Sequence, residues 1–267
     1  MIEIGMSQTC ITVNALKKLN VPQSILQKMD EILMFKIFKD LPLDDIALLL
    51  KSAHVHKFES GKQLLTVEED PLYLYALFSG EAKVFCSSKD GREAVVSVVT
   101  KGESMLENTI MFNRPSMVSC TVLSAGEFLA IPADVVRRAV QKSHALSVNF
   151  LEVLANQNSQ LIFQFEEITL QTAVHRVGSY LLRTKIDQGA QGVEFNLDCE
   201  KSLIASYLGM TPETLSRALS KLRLDGVDVQ KRHVKMETPH SLCDYHHTAY
   251  DFNCPHWQTK RCPKFFG

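Results

Sequence analysis

The sequence predicts an α+β chain in three parts: a small roll of short strands, a long helix, and a helix-turn-helix followed by a wing. Three observations carry this. Between residues 54 and 132, alternating apolar and polar runs are bounded by turn residues. From Ala133 to Ile168 there is neither Gly nor Pro. The stretch KSLIASYLGMTPETLSRALSKLRLDG, residues 201–226, reads as helix, tight turn, helix.

The 267 residues, 45% of them hydrophobic, allow more than one packed core. A formal net charge of -1 with 22% charged residues excludes a globally basic nucleic-acid binder and a disordered polyelectrolyte, so any contact with nucleic acid must be local. The first residues, MIEIGMSQTCITVNALKKLN, lack a basic segment leading into an apolar one, and no run approaches the roughly 20 apolar residues that span a bilayer. The expectation is a cytoplasmic protein with no membrane partner. Of the seven cysteines, Cys10, Cys86, Cys120 and Cys199 are scattered and Cys243, Cys254 and Cys262 stand together, which is unlike a secreted disulfide framework. No nucleophile–base pair, Gly-rich phosphate loop or paired carboxylates is present, so an enzyme is not expected.

The elements follow in order. Residues 1–34 form a helical extension, and Leu41-Pro42-Leu43-Asp44-Asp45 opens another short helix. The β-roll occupies 35–132, with Lys89-Asp90-Gly91 as a hairpin turn and further turns at Ser79-Gly80 and Ala125-Gly126. The long helix, 133–168, carries Phe150, Leu154, Leu161, Phe165 and Ile168 near one face, either to pair with a second copy or to pack on its own roll. A smaller domain, 169–242, starts with a helix at 171–185. Within it Leu203, Ile204 and Leu208 face inward and Gly209 ends the first helix. Thr211 is the N-cap and Pro212 the first residue of the second. With Leu215, Leu219 and Leu222 inward, Thr211, Glu213, Thr214, Ser216, Arg217 and Lys221 remain outward, and these are types that reach base edges and phosphates. Residues 201–235 hold seven Lys or Arg against three acids, and VDVQKRHVKM reads as a basic hairpin. The expected partner is double-stranded DNA.

These motifs resemble the CRP/FNR transcription regulators over about residues 30–240. IASYLGMTPETLSRALSKL is close to the signature of that family, and Glu213, Ser216 and Arg217 match the E-x-x-S-R pattern of its FNR-like branch. The resemblance implies a β-roll like a cyclic-nucleotide-binding domain, a homodimer, and RNA polymerase as a further partner. It also implies a palindrome with TTGAT and ATCAA half-sites, in which Arg217 reads guanine and Glu213 accepts from cytosine or contacts adenine. In the cyclic-nucleotide branch a glutamate holds the ribose and an Arg-Ser pair the phosphate. Here Glu107 stands at the glutamate, but Ser116 and Met117 stand at the pair, and Arg114 is two residues away. Cyclic AMP is therefore not expected. Haem is not expected either, because SMLENT offers neither Cys nor His, although His54 and His56 share a strand face.

The remaining 243–267 segment holds Cys243, Cys254 and Cys262 beside His246, His247 and His256, with Pro255 and Pro263 each following a cysteine. Soft thiolates at this density select an iron-sulfur cluster or zinc. A segment so short would take folding energy from the metal. A Bacillus-type Fnr branch of the family carries cluster cysteines beyond the wing with a non-cysteine fourth ligand, though in a tighter grouping than here. The fourth ligand is open among the three histidines, Asp244, or a residue of the β-roll or hinge. The other reading is a regulator that senses a small ligand other than cyclic AMP, or haem, in the β-roll, with the segment a zinc site or decoration.

Overall fold

In a computed structural model the described residues are 13–112, 114–190 and 192–245. They divide into two compact units, 1–159 and 160–267.

After a helical stretch at residues 13–18, the first unit continues with short helices α1 (Gln23–Leu26), α2 (Met29–Ile32) and α3 (Leu43–Leu50). They bury Ile25, Met29, Ile32, Leu49 and Leu50 in one cluster with the strand residues Leu74, Leu77 and Phe128. Residues 13–34 therefore share the core of the roll and are no separate extension. Strands β1 (His54–Phe58), β2 (Gln63–Leu65), β3 (Tyr73–Leu77), β4 (Glu81–Ser87), β5 (Glu93–Val99), β6 (Ser104–Met105), β7 (Ser119–Ser124) and β8 (Gly126–Pro132) form two four-stranded antiparallel sheets. Their orders are β1-β8-β3-β6 and β2-β7-β4-β5. The β4–β5 hairpin closes around Gly91, as Lys89-Asp90-Gly91 predicts. Helix α4 (Glu107–Phe112) interrupts the strands between β6 and β7.

The long helix differs from its prediction in two ways. It is two helices, α5 (Ala133–Lys142) and α6 (His144–Leu170), parted at Ser143, whose backbone is extended. The Ser143 hydroxyl accepts from the Leu146 N–H at 3.1 Å as an N-cap and donates to Asp45 at 2.5 Å. A side chain able to replace the missing helical bond thus restarts the helix without Gly or Pro. The apolar stripe also divides. Phe150 is buried in the roll and Leu154 is half-buried, whereas Leu161, Phe165 and Ile168 are exposed. The exposed row is Val148, Leu151, Ala155, Asn158, Ile162 and Phe165, spaced 3-4-3-4-3. That is the spacing of a heptad row, with one Asn inside it.

The second unit contains the end of α6, α7 (Ala173–Asp187), β9 (Glu194–Asn196), α8 (Lys201–Tyr207), α9 (Pro212–Leu224), β10 (Val227–Gln230) and β11 (His233–Met236). Thr172 caps α7, accepting from the His175 N–H. The three strands form an antiparallel sheet in the order β10-β11-β9. Val177, Leu181, Ile204, Leu208, Leu215, Leu222 and Val234 form the core between helices and sheet. No helix among the described residues is long and apolar enough to cross a membrane.

Candidate functional site

Helix α8 ends at Leu208 and Gly209, the latter at φ +60°, a value that favours glycine. A Cβ there would also lie 3.1 Å from Ile168 Cδ1. The end carbonyls of α8 are satisfied from outside: Gln164 Nε2 donates to the Tyr207 carbonyl at 2.8 Å, and Arg176 donates to that of Leu208 at 2.9 Å. The turn is thereby fixed from two neighbouring helices. Helix α9 starts at once, with Thr211 Oγ1 accepting from the Thr214 N–H at 3.3 Å and Pro212 in the first turn.

Burial of Leu215, Ala218 and Leu222, with Leu219 partly buried, decides which face of α9 looks out. Thr211, Glu213, Ser216, Arg217 and Lys221 are exposed and Thr214 is half-buried, so all six predicted contacts lie at the surface. Glu213, Ser216, Arg217, Ser220, Lys221 and Leu224 follow one another at helical steps along one exposed face. A hydrogen bond from Thr211 and the charge of Arg217 hold the Glu213 carboxyl below its usual range, so it meets a base edge as an acceptor.

Strands β10 and β11 make the predicted basic hairpin, closed by Lys231 and Arg232 between Gln230 and His233. The charge is distributed more evenly than the count suggests. Arg223 pairs with Asp228 at 2.7 Å, Lys235 with Glu194 at 3.6 Å and Arg232 with Glu200 at 4.0 Å. Among the described residues Arg217, Lys221 and Lys231 enter none of these pairs, which leaves two cations on the helix and one at the wing tip for base edges and phosphates.

In the β-roll the structure separates Glu107, Arg114 and Ser116. Glu107 is fully buried in the first turn of α4. One carboxylate oxygen accepts from Gln157 of α6 at 2.9 Å and the other has no partner among the described residues. Burial pushes its pKa up. Ser116 is buried too, but its hydroxyl donates to the Val118 carbonyl and accepts from the Val118 N–H. Arg114 is exposed and lies over the Phe112 ring, itself at the surface. The three do not form one site: local turn geometry consumes Ser116, and the arginine points to solvent. His54 and His56 do share an exposed face of β1, their ring centroids 6.1 Å apart.

Of the candidate metal ligands, Cys254, Cys262, His246, His247 and His256 lie outside the described residues. Cys243 opens a short 3-10 turn, Cys243–Tyr245, and is half-buried. Among the described residues no group of three or more His, Cys, Asp or Glu is placed to hold a metal. Cys120 and Cys199 are core residues, and burial pushes the Cys120 thiol up to about 12.

Three features escape sequence reasoning. Gln157, fifty residues from Glu107, has no local signal. The Glu167–Arg183 ion pair, 3.1 Å and buried, with Phe163 against the guanidinium at 4.5 Å, joins α6 to α7 where a charge on each helix reads as solvated. Tyr245 packs its ring on Gly178 of α7, where a Cβ would lie 2.2 Å from the ring, and its hydroxyl donates to Asp225 at the C-cap of α9. A glycine inside an otherwise regular helix was the available hint.

Comparison with known proteins agrees with this layout. The Cyclic nucleotide-binding domain family matches residues 55–143 and the Crp-like helix-turn-helix domain family matches 175–245. A CRP-like cAMP-activated global transcriptional regulator of Mycobacterium tuberculosis is 25% identical over 211 residues, 75% of this chain and 94% of that protein. An anaerobic regulatory protein of Pasteurella multocida is 27% identical over 178 residues, 64% of each. The solved structure of a candidate cAMP-binding regulatory protein from Silicibacter pomeroyi is 31% identical, covering 81% of this chain and 96% of that one, with a TM-score of 0.55. A β-roll, a capped outward-facing helix with its wing, and a relative of this identity along nearly its whole length establish that the chain belongs to the CRP/FNR family of DNA-binding transcription regulators.

Proposed function

We propose that two copies of this chain pair along α6 and read a palindrome of TTGAT and ATCAA half-sites, and that a redox or oxygen signal at the C-terminal cysteines sets DNA affinity. The exposed row Glu213, Ser216 and Arg217 over the capped start of α9 carries the reading. It sets an acceptor at i and a hydroxyl and a guanidinium one turn on, at i+3 and i+4, and Arg bonds bidentately to guanine while a carboxylate accepts from cytosine. The heptad row of α6 supports the dimer, since two-fold protein symmetry matches a palindrome. RNA polymerase is the further partner.

The C-terminal segment supplies thiolates and imidazoles, a donor set that fits an iron-sulfur cluster or zinc. When bound, such a centre supplies redox or oxygen lability in the first case and a fixed fold in the second. A tenfold change in DNA affinity requires about 1.4 kcal/mol of differential stabilisation. To test this, the protein is purified anaerobically, assayed for iron, sulfide and zinc, and titrated with the palindrome before and after exposure to air. A coloured protein whose affinity changes on exposure supports the reading. A metal-free protein that binds equally in both conditions overturns the sensor.

The unmatched oxygen of Glu107 favours a second reading, a small effector in the roll that brings a hydroxyl or amine donor. Cyclic AMP suits the place poorly, because a buried phosphate requires a cation and Arg114 lies at the surface. Under this reading, a small ligand raises thermal stability and alters DNA binding, and truncation after Tyr245, which keeps the contacts of that ring to Gly178 and Asp225, is harmless.

A further inference from the structure

We infer that Gln164 is a positioning residue for DNA reading: it ties the turn in front of the recognition helix α9 to α6, and so sets the spacing between half-sites that a pair of chains accepts. This rests on the pairing along α6 proposed above. The last carbonyls of a helix have no donor within it. At the end of α8 the Ala205 and Ser206 carbonyls accept from the Met210 and Gly209 N–H groups, at 2.9 and 3.2 Å, inside the turn itself. The next two accept from other helices. Gln164 Nε2 of α6 donates to the Tyr207 carbonyl at 2.8 Å, and Arg176 Nη1 of α7 donates to that of Leu208 at 2.9 Å.

The neighbours of Gln164 on α6 serve the same turn and its support. Ile168, one turn further on, packs where a Cβ on Gly209 would lie 3.1 Å from its Cδ1. Glu167 is buried and paired with Arg183 of α7 at 3.1 Å, and the Phe163 ring covers that guanidinium at 4.5 Å. The end of α6 is thus bound to α7 by the ion pair and to the turn by the amide. Thr211 caps α9 two residues after Gly209, so little chain is left in which α9 could change direction. Glu213, Ser216 and Arg217 take their aim from the turn. At 3.6 residues per turn, Phe163, Gln164, Glu167 and Ile168 are centred roughly half a turn round α6 from Ile162 and Phe165 of the exposed row. One helix therefore offers one face to a second copy and the opposite face to the reader. A side chain that holds the reader at one angular setting on α6 makes the pair accept one distance between half-sites.

The test uses a palindrome selected by the full chain from a pool of random duplexes, the same palindrome with one central base pair added or removed, and a single half-site. The wild type is expected to prefer one spacing. Gln164→Ala is expected to lower that preference about fivefold, the worth of one hydrogen bond, and to leave affinity for the half-site unchanged. Gln164→Glu, of equal size but without a donor, is expected to behave as the alanine variant. Gln164→Lys, whose ammonium can reach the same carbonyl, is expected to restore the preference. The last two decide the matter should Gln164→Ala fold poorly. An equal loss at the half-site and at every spacing, with the preference intact, assigns Gln164 to stability alone. That result overturns the inference and leaves pairing along α6 standing. A wild type that binds the half-site as tightly as any palindrome overturns the pairing and the inference together.

Discussion

Glu107 carries a carboxylate into the core of the β-roll, where Ser104 and Gln157 are its side-chain donors and only partly offset its burial. Its folded pKa is above the ordinary 4.5 because burial disfavours the charged form. The folded state therefore binds the proton more tightly than the unfolded chain. Stability contributed by this group is complete below about pH 4.5 and is lost as pH rises through the folded value. Glu107→Gln, which keeps the shape and removes the charge, is expected to raise the melting temperature at neutral pH and to flatten its decline above pH 5. Calorimetric scans from about pH 4 to 8 check this. Glu213 is the opposite case, an exposed carboxylate held charged. Glu213→Ala is expected to relax preference at one base position per half-site by about 1–3 kcal/mol, measured by competition among single-base variants of the palindrome. A uniform loss over all variants would assign Glu213 to positioning instead.

At the level of elements, α6 shows what periodicity reports and what it leaves open. Apolar residues at helical spacing are legible in the sequence, but Phe150 and Phe165 look alike there. Phe150 faces the roll and Phe165 faces solvent, a choice made by what lies against each turn of the helix. The free row is a heptad, so a second copy can cover it, with Asn158 setting register. On the proposed pairing along this row, Ile162→Ala is expected to weaken the dimer by about 2 kcal/mol or more. Sedimentation equilibrium would show a lower association constant, and the affinity for a full palindrome would fall more than that for a half-site. Helix α9 was more legible. Thr211, Pro212 and Gly209 are local signals whose physics operates within a few residues, and the structure uses each as expected.

On the scale of the molecule, the reader and the start of the cysteine-rich segment are joined through Tyr245. Its ring occupies the space left by Gly178, and its hydroxyl holds Asp225 at the end of α9. Burial and the Asp225 contact push the phenol up to about 12, so it stays a donor across the neutral range. Tyr245→Phe is expected to cost about 1 kcal/mol of stability. On the proposed reading of a metal in the C-terminal segment, it should also shrink the difference in DNA affinity between metal-loaded and metal-free protein, as read by paired binding titrations. An unchanged difference would mean that the signal reaches α9 by another route.

The sequence by itself determined the elements whose cause is local: the hairpin at Gly91, the capped recognition helix, the basic wing, and hence the family. Tertiary structure decided what depends on distant partners. Ser143 breaks the long helix through Asp45, nearly a hundred residues away; Gln157 meets Glu107; Tyr245 settles on Gly178. Caps and turns act through the backbone of their neighbours and leave a mark at fixed spacing. A buried carboxylate, an exposed apolar row or a ring seated on a glycine acquires meaning from what packs against it, and that is set only when the chain folds.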